Sequence, residues 1–398
     1  MLVTSETLEA ARPFTRARDA GAEARAAASL RALLSALKDA AGDAWAGAAL
    51  GGALGRGEGA TLVGRDGSGH PADPFEILAV LDAPVRDVPA ISRRLARAAA
   101  DAARARKIQV SVEAVARRAL ALLPPTLANM ELLAARRVVD GPENLLPPFA
   151  DVFRGGPDRF EGVRLLARTG AHLLAAERLV DRSATGARAR EALRFVQGAD
   201  LACGEAILIS AGRWAPGVAA REAEIRSLGA ESPDGPRRPG FHVKMSWTRF
   251  KDLVERHRAA AAALHEPAGP ENVDARRQVA RAGDRFMEVL RLYEEERLGA
   301  DLPNWTEYAI ALARRRSGAA VSELFGEDEE IEDAAGAGRV ARKSARTWPL
   351  AERVAPAVAA LVDWDPGDLP IVPVLLDLPD TASRDALRQR AIAWGETV

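Results

Sequence analysis

The chain has 398 residues, of which 48% are hydrophobic and 28% charged, a balance typical of globular proteins with two or three domains. The net charge of −1 does not indicate a strongly charged partner, and almost all of the positive charge is arginine. The single cysteine, Cys203, excludes an intrachain disulfide and a cysteine-based zinc site. There is no HExxH, Walker, nucleophile-elbow or nicotinamide motif, so hydrolase and dehydrogenase functions have no motif support.

No window reaches the 18 or so uninterrupted apolar residues of a membrane span, and the first twelve residues lack the apolar core of a signal peptide. We therefore expect a soluble cytoplasmic protein without a membrane partner. The first predicted element is an amphipathic helix over Ala22 to Ala41. Its apolar residues recur three and four apart, at Leu30, Leu33, Leu34 and Leu37.

The next stretch, from Ala44 to Asp82, contains most of the residues that point to a chemistry. Small and apolar residues run to Leu50, two glycines follow at Gly51-Gly52, and Ala53-Leu54-Gly55-Arg56-Gly57-Glu58 comes next. A turn-rich loop from Gly59 to Pro74, expected to be exposed, leads to a second apolar run, Phe75 to Leu81. The pattern predicts strand, glycine turn, short helix, loop and strand. A glycine turn between a strand and a helix lets backbone N–H groups approach a phosphate.

A second helix is predicted from Ile91 to Lys107, and a strand from Lys107 to Glu113. The helix carries a run of arginines that either faces a polyanion or is a solvated surface: Arg93, Arg94, Arg97, Arg104 and Arg106. Because no second basic segment in register and no interleaved aromatic residues accompany the run, nucleic acid is not indicated as a partner.

Residues Gly51 to Gly59 read GGALGRGEG, and this segment resembles the polymerase β-like nucleotidyltransferase superfamily. The resemblance is closest to a group of bacterial and archaeal nucleotidyltransferase-like proteins with a GGYGRGEG motif followed by PYNDYDL. It implies transfer of a nucleoside monophosphate from a nucleoside triphosphate to an acceptor that the sequence does not identify. It also implies Mg²⁺, held by carboxylates on neighbouring strands, as the cofactor. Gly51 and Gly52 would then bind the nucleotide, Arg56 would contact its phosphate and Glu58 would order the turn, unless these two are ordinary charges at a helix start.

The carboxylates that the resemblance calls for are only partly present. Aligning the second motif puts Pro74 at the first metal position and Glu76 at the second, with Asp73 one residue out of register. The third position falls on Ser111. We accordingly assign Glu76 and Asp73 as candidate catalytic and metal residues, and Ser111 as a nucleotide-binding candidate. Two hypotheses remain. The protein is an active transferase in which Asp73 or Glu113 replaces a missing ligand, or it is an inactive nucleotide-binding or scaffolding module.

Beyond Val115 the pattern is helical almost to the end. Further segments resembling the group are Pro124-Pro125-Thr126 followed by Glu131, and Ala202 to Ile209 followed by Gly212-Arg213-Trp214, so that the resemblance covers Asp43 to Arg221. Helices are predicted over Phe160–Val180, Ala192–Ser210, Phe241–Leu264 and Val273–Gly299, a linker over Gly229–Gly240, an exposed acidic loop over Glu327–Asp333, and an irregular stretch over Pro356–Pro373.

The expected fold class is α+β, with a small mixed sheet followed by a mostly helical part. The predicted division is a nucleotidyltransferase-like core over 22–115, a helical domain over 116–228 and a C-terminal helical region over 241–398.

Overall fold

The structure is a computed structural model, and it describes residues 2–3, 12–63, 69–135, 137–153, 155–182, 185–230, 244–265, 274–305, 307–308, 311–312, 349–363, 372–379 and 381–398. The chain divides into two compact units. The first comprises Met1–Pro157, Ala215–Arg221 and Ala262–Ala268, and the second comprises the remainder. The predicted fold class is confirmed, because a small mixed sheet is followed by a mostly helical part.

The first unit is built on a mixed sheet with the strand order β1-β7-β2-β5-β6. Its neighbouring strands are antiparallel except for β5 and β6, which run parallel. A separate antiparallel hairpin is formed by β3 and β4. The strand bounds are β1 Leu2–Val3, β2 Trp45–Leu50, β3 Thr61–Val63, β4 Gly69–Pro71, β5 Phe75–Leu81, β6 Val110–Ala116 and β7 Arg137–Pro142.

In the described part of the first unit, the helices that accompany this sheet are α1 Ala20–Ala41, α2 Gly52–Arg56, α3 Val88–Arg106, α4 Leu127–Ala135 and α5 Phe149–Val152. The side chain of Asp19 caps α1 by accepting from the N–H of Ala22. Helix α3 has a proline in its first turn, where no backbone N–H is needed, and ends at Lys107 in a left-handed conformation.

Alternation along β5 decides which side chains face the core and which face the candidate site. Phe75, Ile77, Ala79 and Leu81 are buried against the apolar faces of α1 and α3. Since successive side chains of a strand point to opposite faces, Glu76 lies on the other face of the sheet. The core therefore fixes the register that places Glu76.

The second unit is helical in the part that the structure describes. Its helices are α6 Arg159–Arg182, α7 Gly186–Ser210, α9 Trp247–His265, α10 Ala275–Leu298, α11 Leu350–Asp363, α12 Val372–Leu375 and α13 Arg384–Gly395. The last residues of α9, from Ala262 onward, are assigned to the first unit. Helix α8, Val218–Gly229, begins in the first unit and continues in the second. Among the described residues, no helix is both long enough and apolar enough to cross a bilayer.

A buried charged network links α10 and α11 in the second unit. The guanidinium of Arg297 donates from Nε to Glu294 at 2.9 Å and from Nη1 to Glu352 at 3.0 Å. The hydroxyl of Tyr308 donates to Glu294 at 2.8 Å. Burial raises the pKa of Glu294 above its ordinary value, although Arg297 and Tyr308 act in the opposite direction.

The structure corrects three predictions. The loop between α2 and β5 contains the β3–β4 hairpin. Residues 137–142 lie in the stretch beyond Val115 that was predicted to be helical, but they form β7 and pair with β2. Pro356, predicted to begin an irregular stretch, lies inside α11.

The two compact units do not coincide with the predicted division at 115/116, because the pairing of β7 with β2 joins residues 116–157 to the sheet. The predicted linker lies outside the described residues beyond Ala230, and the acidic loop at 327–333 lies outside them entirely.

Candidate functional site

The predicted strand, glycine turn and short helix are present at Gly51-Gly52. Strand β2 ends at Leu50, and the N–H of Gly51 donates to the backbone carbonyl of Glu76 at 2.8 Å, which ties the turn to β5. Gly52 has φ +59°, a left-handed conformation that favours glycine. Helix α2 ends one turn later at Gly57, which has φ +78°.

The Glu76 carboxylate borders this turn directly. A Cβ atom placed on Gly52 would overlap the Glu76 carboxylate, so the glycine leaves the space that the carboxylate occupies. Burial raises the pKa of Glu76, and the charges of Glu131 and Asp73 raise it further, whereas Arg56 lowers it. The positive charge near Glu76 is therefore too small to offset the free energy that burial of its negative charge costs.

Ser111 lies beside Glu76 because of the register in which β5 and β6 pair. In the parallel pairing of β5 with β6, Glu76 is opposite Ser111 and Leu78 is opposite Glu113. Residues opposite each other in a sheet point to the same face, at a strand spacing of about 4.8 Å. Pro74 directly precedes β5 and is two residues from Glu76. The three aligned positions thus lie close together on the sheet.

Asp73 acts on Glu76 through its charge, but its carboxylate is hydrogen-bonded to another residue. Its Oδ2 accepts from the N–H of Ala60 at 2.6 Å. This contact fixes the start of β5 against the segment that leads into β3. The negative charge of Asp73 raises the pKa of the Glu76 carboxyl.

Arg56 belongs to a cluster of four charged side chains, Arg56, Glu58, Glu131 and Arg221, which we call the arginine–glutamate cluster. Arg56 donates from Nε to Glu58 at 2.8 Å and from Nη1 to Glu131. The other oxygen of Glu131 accepts from Arg221, and its carboxylate also accepts from the N–H of Gly217 at 3.2 Å. The guanidinium is therefore held by two carboxylates of the chain.

Glu58 connects the end of α2 to the start of α8. It accepts from the N–H of Val218 at 3.3 Å. Burial raises the pKa of Glu58, but the hydrogen bond and charge of Arg56 and the backbone N–H groups of Val218 and Ala219 outweigh burial, and the pKa lies below its ordinary value. The charged form of Glu58 is thus stabilised by these contacts.

The sequence prediction missed Arg221 and assigned no contact to Glu131. Glu131 had been noted only as part of the Pro-Pro-Thr segment. Arg221 is 90 residues away from Glu131 along the chain, and no local spacing links the two. Only the folded chain brings them together.

A pair of Mg²⁺ ions does not fit the side chains at the turn. Hard divalent cations need several anionic oxygen ligands, and the aligned positions offer one carboxylate, one hydroxyl and a proline. Among the described residues, no group of three or more histidine, cysteine, aspartate or glutamate side chains has the arrangement of a metal site. A single Mg²⁺ that arrives with a triphosphate has a smaller requirement, since magnesium is commonly bound by one or two carboxylates plus the phosphates themselves.

Comparison with family models, curated proteins and solved structures finds no match to this chain.

Proposed function

We propose that this chain is a nucleotidyltransferase-like protein that binds a nucleoside triphosphate with its magnesium at the Gly51-Gly52 turn and does not transfer the nucleotide efficiently. The observation that supports this proposal is the position of Glu76. Its carboxylate lies against Gly52 and beside Ser111, where the resemblance expects metal ligands. Such a ligand would be a cytoplasmic metabolite, and the proposal therefore places the protein in the cytoplasm.

The charges at the turn favour a triphosphate that carries its metal over a free triphosphate. Glu76 would repel a bare phosphate placed at Gly52, since like charges a few ångströms apart cost free energy in a partly buried site. Arg56 offers little compensation because Glu58 and Glu131 already hold it. A magnesium ion between the phosphate and Glu76 would turn this repulsion into attraction.

The test is calorimetric titration of the full chain with ATP, with and without Mg²⁺, for the wild type and Glu76→Gln. We expect the substitution to weaken binding about tenfold with magnesium, or ~1.4 kcal/mol, and to strengthen binding without it. Glu143→Gln is the matched control, because Glu143 is an exposed carboxylate that neither hypothesis assigns to the site. The proposal fails if the wild type does not bind ATP with magnesium, or if Glu76→Gln shifts both titrations in the same direction.

Nucleotidyl transfer to an unidentified acceptor is the second candidate. The same position of Glu76 favours it, with Asp73 or Glu113 moving to supply a further ligand. Pyrophosphate release by the unaltered protein would distinguish this candidate from binding alone.

A further inference from the structure

Helix α3 presents a row of basic side chains on the face that it turns away from the sheet. Its buried residues, Ile91, Leu95 and Ala99, follow one another at four-residue intervals and fix the orientation of the helix. Arg93, Arg97 and Arg104 are exposed, and spacings of four and seven residues put them on one face, about 16 Å from end to end. Lys107, which caps the helix, is exposed beyond them. We call these four residues the basic row.

The charge of this helix stands out from that of the chain. Residues 88–107 hold six basic residues and one acidic residue, a net charge of +5, whereas the whole chain has a net charge of −1. Arg94 is not part of the row, because its Nε donates to the carbonyl of Ala40 near the end of α1. In the described part of the chain, Arg93 and Arg97 form no ion pair, and Arg104 pairs with Asp101 at 3.3 Å, with both side chains largely exposed.

The sequence alone did not indicate a nucleic acid, but the burial along α3 places these basic residues on one exposed face. On that ground we propose that the basic row binds the phosphate backbone of a nucleic acid, independently of base sequence. Arginine matches phosphate because its planar fork donates two parallel hydrogen bonds. Three or four cations along one face of a rigid helix are complementary to a polymer in which each strand carries a charge about every 3.4 Å.

The composition of the same face argues against the other polyanionic partners. Between Arg93 and Arg104 the exposed apolar residues are only the small side chains of Ala96 and Ala100. A protein partner would need apolar or aromatic anchors at the centre of the interface. An anionic membrane surface would need bulky apolar residues to insert, and those of α3 are buried against the sheet and α1. The backbone of a nucleic acid needs neither.

The experiment is fluorescence anisotropy of a labelled single-stranded DNA of 20 nucleotides with the full chain, at several salt concentrations. Three phosphate contacts predict a slope of log affinity against log salt of about −2, so affinity should fall roughly 20-fold between 50 and 200 mM salt. In Arg93→Gln/Arg97→Gln the slope should become less steep by about 1.4, and affinity at 50 mM salt should fall about tenfold or more. Asp101→Asn, which removes the negative charge beside Arg104, should increase affinity.

The matched control is Arg188→Gln/Arg190→Gln, which removes the same charge from exposed positions of α7, and circular dichroism checks that each variant is folded. The control should bind as the wild type does. Absence of binding at 50 mM salt, equal binding by the Arg93/Arg97 variant, or an equal loss in the control would overturn the proposal. Tighter binding of polyglutamate or of phosphatidylserine vesicles through the same arginines would overturn the choice of nucleic acid.

Discussion

Gly52 is the residue on which the geometry of the candidate site depends most directly. Its left-handed backbone costs a side-chain-bearing residue about 1–2 kcal/mol, and a Cβ atom there would also overlap Glu76. Gly52→Ala should therefore lower the free energy of unfolding by more than the backbone cost alone, as measured by urea denaturation.

Gly299→Ala is the control for that experiment, because Gly299 has φ +67° with no atom close to its missing Cβ. Gly299→Ala should lower the free energy of unfolding only by the backbone cost. In a Glu76→Ala background, the loss of unfolding free energy caused by Gly52→Ala should shrink toward that caused by Gly299→Ala. Equal costs with and without Glu76 would mean that the carboxylate does not occupy the space beside Gly52.

Because of Glu76, the free energy of unfolding should depend on pH. Its pKa in the folded protein lies above the ordinary 4.5 because of burial. A raised pKa contributes stability that is present at low pH and is lost as the pH rises through the folded-state pKa. The free energy of unfolding of Glu76→Gln, relative to that of the wild type, should therefore be higher at pH 7 than at pH 4. Denaturation of both proteins at the two pH values tests this; a relative value that is lower at pH 7 would contradict it.

At the scale of elements, the arginine–glutamate cluster joins α2, α4 and the start of α8. Removing Glu131 leaves Arg56 and the buried Arg221 without their shared carboxylate. Loss of one partner from a largely buried ion pair is strongly destabilising, and for this partly exposed carboxylate we expect Glu131→Ala to cost about 2 kcal/mol in thermal or urea unfolding. Glu143→Ala, at an exposed position, should change stability by less than about 0.5 kcal/mol. Similar values for the two variants would show that the cluster contributes little.

The elements that periodicity predicted are those whose apolar residues repeat regularly. Helices α1, α3, α6, α9 and α10 were predicted within a few residues of their observed ends, except for the start of α9, which was placed six residues too early. Strand β7 was missed because Arg137 lies inside the protein, where its guanidinium donates to the carbonyls of Arg12 and Pro13 and lies over the ring of Phe14. Burial, together with the charge of Arg12, lowers the pKa of Arg137 to about 10. A buried arginine breaks the apolar pattern by which a strand is recognised.

Part of the geometry around Gly51-Gly52 was expected from the resemblance. It placed Glu76 and Ser111 beside the turn, and the parallel pairing of β5 with β6 puts these two residues opposite each other. Contacts that Arg221 makes across 90 residues depend on the tertiary fold, and neither composition nor spacing records them.

On the scale of the whole molecule, the second unit depends on its own buried charges. Arg297→Met would remove the buried cation that Glu294 and Glu352 share, which should cost about 3–5 kcal/mol. Because burial already raises the pKa of Glu294, the loss should be smaller at acidic pH, where that carboxyl is protonated. Arg281→Met, on an exposed position of the same helix, is the control and should be near neutral. A cost below 1 kcal/mol, or one that grows as the pH falls, would contradict the prediction.

In the proposed function, the single carboxylate at the Gly51-Gly52 turn is enough to bind a magnesium triphosphate and too few for transfer. The decisive experiment titrates Mg²⁺ into the full chain with ATP present while pyrophosphate release is followed, for the wild type and Pro74→Asp/Ser111→Asp. The wild type should bind weakly without releasing pyrophosphate, and the double variant should bind at least about tenfold more tightly, because two carboxylates join Glu76 on one face. Robust pyrophosphate release by the wild type, or no gain in the double variant, would contradict the account.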